Sequence, residues 1–136
     1  MDLKQVAKDT AKVLASYLTY QSVRIVVAQL SETNPPVAIW LSNFSSTGKI
    51  QDGEAYIQEL LRENQDLGFR IMTVREYMAH DVTEYLPEMV STGIQQANME
   101  HRRQHLERIT QLNWSVSSSN PETSIDSEPN LDNLSS

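Results

Sequence analysis

The residues best suited to chemistry gather in the second half of the chain. His101 and His105 stand four apart, a spacing that puts two imidazoles on one helical face and can chelate a metal. Arg102 and Arg103 lie between them, no cysteine exists, and Tyr77, Asn98 and Arg102 occupy the positions three before His80, His101 and His105. The Glu-x-x-His pairing of di-iron bundles is therefore missing, and the histidines read as solvated surface. Glu76, Asp81, Glu84 and Glu88 resemble a catalytic acid cluster in number, but beside Arg75 they fit a solvated helix face. No phosphate loop, dinucleotide fingerprint, nucleophile elbow or Ser/His/Asp arrangement is present, so the chain reads as a binding protein and not an enzyme, with no cofactor.

Binding chemistry depends on the elements that present it. From Asp66 to Leu112 apolar residues recur at Ile71, Val74, Met78, Val82, Tyr85, Met89, Gly93 and Ala97, the steps of an α-helix. Met72, Ala79, Leu86, Val90 and Ile94 form an adjoining stripe, more apolar surface than one neighbouring helix covers. Such a helix is roughly 60 to 70 Å long at about 1.5 Å per residue. Pro87 predicts a kink and not a stop, because its ring clashes with the carbonyl of Thr83 while the apolar phase continues across it. Past Met99 the sequence turns polar and reads as a solvated or partner-facing arm.

Leu3 to Leu30 forms a second two-striped helix: Leu3, Val6, Thr10, Val13, Tyr17 and Tyr20 on one line, Ala7, Ala11, Leu14, Leu18 and Ile25 on the other. Asn34-Pro35-Pro36 stops it and starts a short helix with Val37, Trp40, Leu41 and Phe44 inward, which ends over Ser45 to Gly48. A third helix begins near Asp52 and packs through Tyr56, Ile57, Leu60 and Leu61; Asn64 to Asp66 make the turn into the long helix, with Asp66 as its cap. Residues 1–114 thus read as one all-α, four-helix-bundle-like domain. Residues 115–136, polar, Ser-rich and aperiodic, read as a disordered acidic tail.

The chain has 136 residues, 39% hydrophobic, four Gly and a net charge of −7. These values suit one helical domain in a reducing compartment, with no targeting leader and no run long enough to span a membrane. Four of the acids (Glu122, Asp126, Glu128, Asp132) follow the last basic residue, Arg108, which leaves the body near −3. That balance argues against general nucleic-acid binding; a local patch at Arg102, Arg103 and Arg108 is the alternative from a different class, an adaptor or regulator that binds nucleic acid. Two long helices with spare stripes close most simply as a two-fold homodimer with a shared crevice. Tyr17 and Tyr20 read equally as recognition residues or as partly buried core. Gln29, Glu32, Arg70, Asn98 and Arg102 read as a second polar surface or as ordinary solvation.

Six motifs in order sharpen this. Tyr17-Leu-Thr-Tyr-Gln21, Glu32-Thr-Asn-Pro-Pro36, Gln51-Asp-Gly-Glu54, Arg70-Ile-Met-Thr-Val-Arg-Glu76, Leu86-Pro-Glu-Met89 and Gly93-Ile-Gln-Gln-Ala-Asn-Met-Glu100, the last followed by Arg102-Arg-Gln-His-Leu-Glu-Arg108, resemble the RbcX family of Rubisco assembly chaperones. The resemblance spans Leu3 to about Leu112, is nearer the cyanobacterial form, and leaves out the loop from Ser45 to Thr47, His80 and the tail. It implies an arc-shaped, all-helical homodimer that binds unassembled Rubisco large subunits, promotes their octameric core and is displaced by small subunits. It further implies a cytosolic location in a cyanobacterium with carboxysome association, and neither membrane nor nucleic acid as partner. By the same resemblance, Tyr17, Tyr20 and Ile50, with Thr10, Leu14 and Gln51 nearby, line a crevice for the C-terminal segment of the large subunit, rich in aromatic and acidic residues. Gln29, Glu32, Arg70, Asn98 and Arg102 contact the body of that subunit.

Overall fold

In a computed structural model, which describes residues 1–46 and 48–119, every element is helical. Asp2 starts the first helix, α1 (Leu3–Thr33), by accepting the amides of Lys4 and Gln5 at 3.0 and 3.3 Å. The amide of Asn34 closes α1 onto the carbonyl of Leu30, and the next residue, Pro35, opens α2 (Pro35–Phe44). Asn34 holds the N-cap position, as the motif predicts, but its backbone carbonyl does the capping, accepting the amides of Val37 and Ala38; its side chain makes no cap bond. A 3-10 turn (Lys49–Gln51) follows, and Asp52 caps α3 (Gly53–Glu63) by accepting the amides of Glu54 and Ala55.

Two expected boundaries move. A single residue, Asn64, separates α3 from α4 (Gln65–Ser119), and its side chain accepts the amide of Leu67 at 3.2 Å; the cap is therefore Asn64, with Asp66 inside the first turn. The N-cap geometry favours an oxygen three residues before the free amide, which Asn64 supplies and Asp66 cannot. At the other end α4 continues five residues past Trp114, so residues 115–119 of the expected tail are helical. A helix extends by one hydrogen bond per added residue once nucleated, which carries it over serines that could not start one. The rest of that expectation lies outside the described residues. Pro87 sits within α4, which does not stop there.

Residues 1–86 form one compact unit and those from Pro87 onward a second. The first holds the core: Val23, Val26 and Leu30 of α1, Ala38 and Leu41 of α2, Tyr56, Ile57 and Leu60 of α3, and Leu67 and Ile71 of α4. Trp40 stacks on Phe44 at 5.1 Å between centroids, and Phe44 tilts against Tyr56 at 5.7 Å. The second of these ring contacts joins α2 to α3, and both helices share the core with Val23, Val26 and Leu30 of α1. In the second unit every described side chain from Pro87 to Ser117 is exposed.

Candidate functional site

Beside the core, α1 and the α2–α3 connection enclose a surface hollow of about 400 Å³, lined by Ser16, Tyr17, Tyr20, Ser45, Ser46, Gly48, Ile50 and Gln51. The path of the connection explains its position. Gly48 takes a φ of +76°, a left-handed conformation that strains any residue with a Cβ, and its carbonyl accepts the amide of Gln51 at 3.2 Å. The chain is thereby turned back so that Ile50 and Gln51 come to the tyrosines of α1.

Tyr17 is 57% exposed and Tyr20 45%, so neither ring belongs to the buried core of the single chain. The Arg24 guanidinium stands over the Tyr20 ring, 5.9 Å from its centre, within the range of a cation–π contact. Of the crevice residues inferred from sequence, Tyr17, Tyr20, Ile50 and Gln51 meet in this one hollow. Thr10 and Leu14 do not line it: they lie two turns and one turn nearer the N-terminus on α1 than Tyr17, Thr10 exposed with its hydroxyl donating to the carbonyl of Val6, Leu14 half-buried.

Sequence reading missed Ser16, Ser45, Ser46 and Gly48. Ser16 carried a usable signal, being four residues before Tyr20 and so on the same ridge of α1. The loop residues carried none, since their place depends on the turn at Gly48. Both buried-side serines are tied from behind. Ser16 Oγ accepts the amide of Gly53 at 3.1 Å. Ser45 Oγ donates to the carbonyl of Leu41 at 2.7 Å and lies 2.6 Å from the hydroxyl of Tyr56, whose proton completes the pair. Burial pushes the Tyr56 phenol above its ordinary pKa and the bond to Ser45 partly opposes the shift, so the group stays a neutral donor.

Behind the hollow, Arg75 of α4 forks onto the Glu54 carboxylate at 2.8 and 3.0 Å and donates to Thr19 Oγ1 at 3.1 Å. The guanidinium holds the Glu54 carboxyl below the usual carboxylate pKa.

The polar set divides. Gln29 Oε1 accepts from Arg70 at 2.6 Å, joining α1 to α4, and Glu32 stands exposed on the next turn of α1. Asn98 and Arg102 share one exposed face of α4 beyond Pro87, four residues apart. Their neighbour Arg103 is paired with both Glu100 and Glu107, which compensates the middle of the basic run. His105 Nδ1 lies 3.4 Å from an Arg108 nitrogen and His80 Nδ1 3.4 Å from Asp81. Among the described residues no group of three or more histidines and acids gathers as a metal site, and no helix is long and apolar enough to cross a membrane.

Residues 1–111 match the family model described as RbcX protein. The chain belongs to the RbcX family. The RuBisCO chaperone RbcX of Anabaena sp. (strain CA / ATCC 33047) is 64% identical over 136 residues, the whole of both chains. The RuBisCO chaperone RbcX of Nostoc sp. (strain PCC 7120 / SAG 25.82 / UTEX 2576) is 66% identical over 123 residues, 90% of this chain and 91% of that one. Among solved structures, a crystal structure of RbcX in complex with substrate is similar at a TM-score of 0.76 and 54% identity, over 81% of this chain and 99% of the other. RbcX is a chaperone family and not a family of enzymes.

Proposed function

We propose that this chain is a Rubisco assembly chaperone that receives the C-terminal segment of the large subunit in the hollow of Tyr17, Tyr20, Ile50 and Gln51. The observation that carries the reading is that four residues from two distant stretches of sequence meet in one open, largely apolar hollow. Two half-exposed phenol rings and an Ile can bury an aromatic side chain, while Gln51 offers an amide to an extended backbone. Family membership and the names of its relatives support the choice of client.

The working form is a homodimer. Leu3, Val6 and Val13 of α1 and Met89, Val90, Ile94 and Met99 of α4 are all largely exposed, and a helix held by no packing is marginal in water. A second copy supplies the missing cover. Gln29 with Arg70, Glu32, Asn98 and Arg102 contact the body of the large subunit, and Thr10 and Leu14 extend the peptide track along α1. Octameric core formation, later displacement by small subunits, and a place in the cyanobacterial cytosol with carboxysome association complete the proposal.

Capture of unassembled large subunit, with and without its C-terminal segment, tests the central point. Retention of the full-length form and loss of the truncated one is the expected result; equal retention of both removes the hollow from the mechanism. Binding to nucleic acid through Arg102, Arg103 and Arg108 is disfavoured by the carboxylates paired to Arg103.

A further inference from the structure

Three elements converge immediately behind the tyrosine wall, and their fit leaves no slack. The first residue of α3, Gly53, donates its amide to Ser16 Oγ at 3.1 Å. A Cβ on Gly53 would stand 2.9 Å from Thr19 Oγ1 and 3.2 Å from the Cα of Ser16, so the start of α3 rests directly on α1 between Ser16 and Thr19. Tyr17 and Tyr20 belong to that same turn. Thr19 is fully buried, and its hydroxyl already donates to the carbonyl of Ala15 at 2.7 Å. One of its lone pairs accepts from Arg75, which also makes two bonds to Glu54, one residue past Gly53.

We propose that Arg75 is a positioning residue for the hollow: through Thr19 and Glu54 it sets the spacing between the tyrosine face of α1 and the stretch that carries Ile50 and Gln51. Arg75 lines a separate depression with Ala15, Leu18, Met72 and Glu76, and does not line the peptide hollow. It acts through its two partners. The lever is short, because Ile50 is three residues from Gly53, at most about 10 Å of chain, so play at the first turn of α3 reaches Ile50 with little loss. The guanidinium suits the task because its planar fork fixes both distance and orientation of the carboxylate, which a lysine ammonium does not.

This inference rests on the reading of the hollow as a peptide site, and its test keeps the two apart. Affinity for a synthetic peptide that reproduces the C-terminal segment of the large subunit is measured by calorimetry, well below the melting temperature of every variant. Arg75→Met is expected to weaken binding roughly tenfold or more, with Arg75→Lys between it and the unaltered chain. Gly53→Ala displaces the same wall with the fork intact and is expected to weaken binding too. Ile71→Val, a core change one turn before Arg75 on α4 that keeps every bond of the clamp, lowers the melting temperature and leaves affinity unchanged. Amide hydrogen exchange at Gly53 should accelerate in Arg75→Met and not in Ile71→Val.

Unchanged affinity in folded Arg75→Met, or an equal loss in Ile71→Val, overturns the positioning role. Should Arg75→Met fail to fold, Arg75→Lys and Gly53→Ala decide by the same criteria. Peptide binding absent from the unaltered chain, or undiminished in Tyr20→Ala, sinks the peptide reading instead. In that event exchange at Gly53 still judges the clamp, acceleration supporting it and no change refuting it.

Discussion

The unit up to Leu86 and the helical stretch after Pro87 draw on similar apolar residues and place them differently. In the first, Val26, Leu41, Tyr56, Leu60 and Ile71 are sealed from water by four helices. In the second, Met89, Val90, Ile94, Met99, Leu106 and Leu112 remain exposed along a single helix. Apolar periodicity alone therefore does not tell a core from an interface. What distinguishes them is whether the same chain returns a neighbour, and beyond Pro87 none of the described residues does. The hollow belongs to the first unit but shares a property with the second: its tyrosines are left half-exposed.

This contrast predicts unequal responses to the same substitution. Leu60→Ala should cost about 2–5 kcal/mol of stability, because the side chain is fully enclosed and its removal leaves a cavity. Ile94→Ala should leave the intrinsic stability of the first unit unchanged and weaken self-association. Denaturant unfolding followed at several protein concentrations separates the two, and equal losses independent of concentration would abolish the distinction drawn between them.

Next in size is the binding surface itself. Tyr20→Ala should weaken the peptide complex by about 2 kcal/mol, roughly thirtyfold, with little change in melting temperature, since the ring is 45% exposed in the free chain. Titration calorimetry beside a thermal melt reads both quantities. A large fall in melting temperature would put Tyr20 with the core.

Gln29→Ala and Arg102→Ala address the polar set in the two units. Both should retain peptide affinity and fail to yield octameric cores on a native gel of refolded large subunit. Arg102 should be the more severe, because a guanidinium makes paired bonds to a carboxylate, whereas loss of Gln29 frees Arg70 from its 2.6 Å bond. Parallel loss of peptide affinity would mean one continuous site.

The smallest effect concerns pH. The Glu54 carboxyl titrates below its ordinary value of 4.5 in the folded chain because Arg75 binds the ionised form. A depressed folded pKa contributes stability that is present above the unfolded value and is lost as pH falls through the folded one. Glu54→Gln should thus flatten the stability profile only below about pH 4.5. The change should be slight, since the carboxylate is 64% exposed and solvent screens it. A shift of the profile near neutrality would show that another group is responsible.

The sequence by itself determined the four helices, the capping at Asp52, the burial of Leu41, Tyr56, Ile57 and Leu60, and the continuation of α4 past Pro87. Each of these follows from local spacing and from backbone groups that a neighbouring residue can satisfy. It did not determine that Trp40 of the expected inward stripe stays 38% exposed while Ala38 is buried. The six motifs carried the family as well. Only the tertiary structure decided that Tyr17 and Tyr20 lie outside the buried core of the single chain, because their stripe is compatible with burial and with exposure until the neighbouring helices are placed. Only it brought Ile50 and Gln51 to them and left Thr10 and Leu14 outside the hollow, since that depends on the left-handed turn at Gly48 and the close seat of Gly53 on α1. The Glu54–Arg75–Thr19 clamp was equally hidden, its members being separated by up to 56 positions in the chain and their pairing fixed only by the packing of α1, α3 and α4.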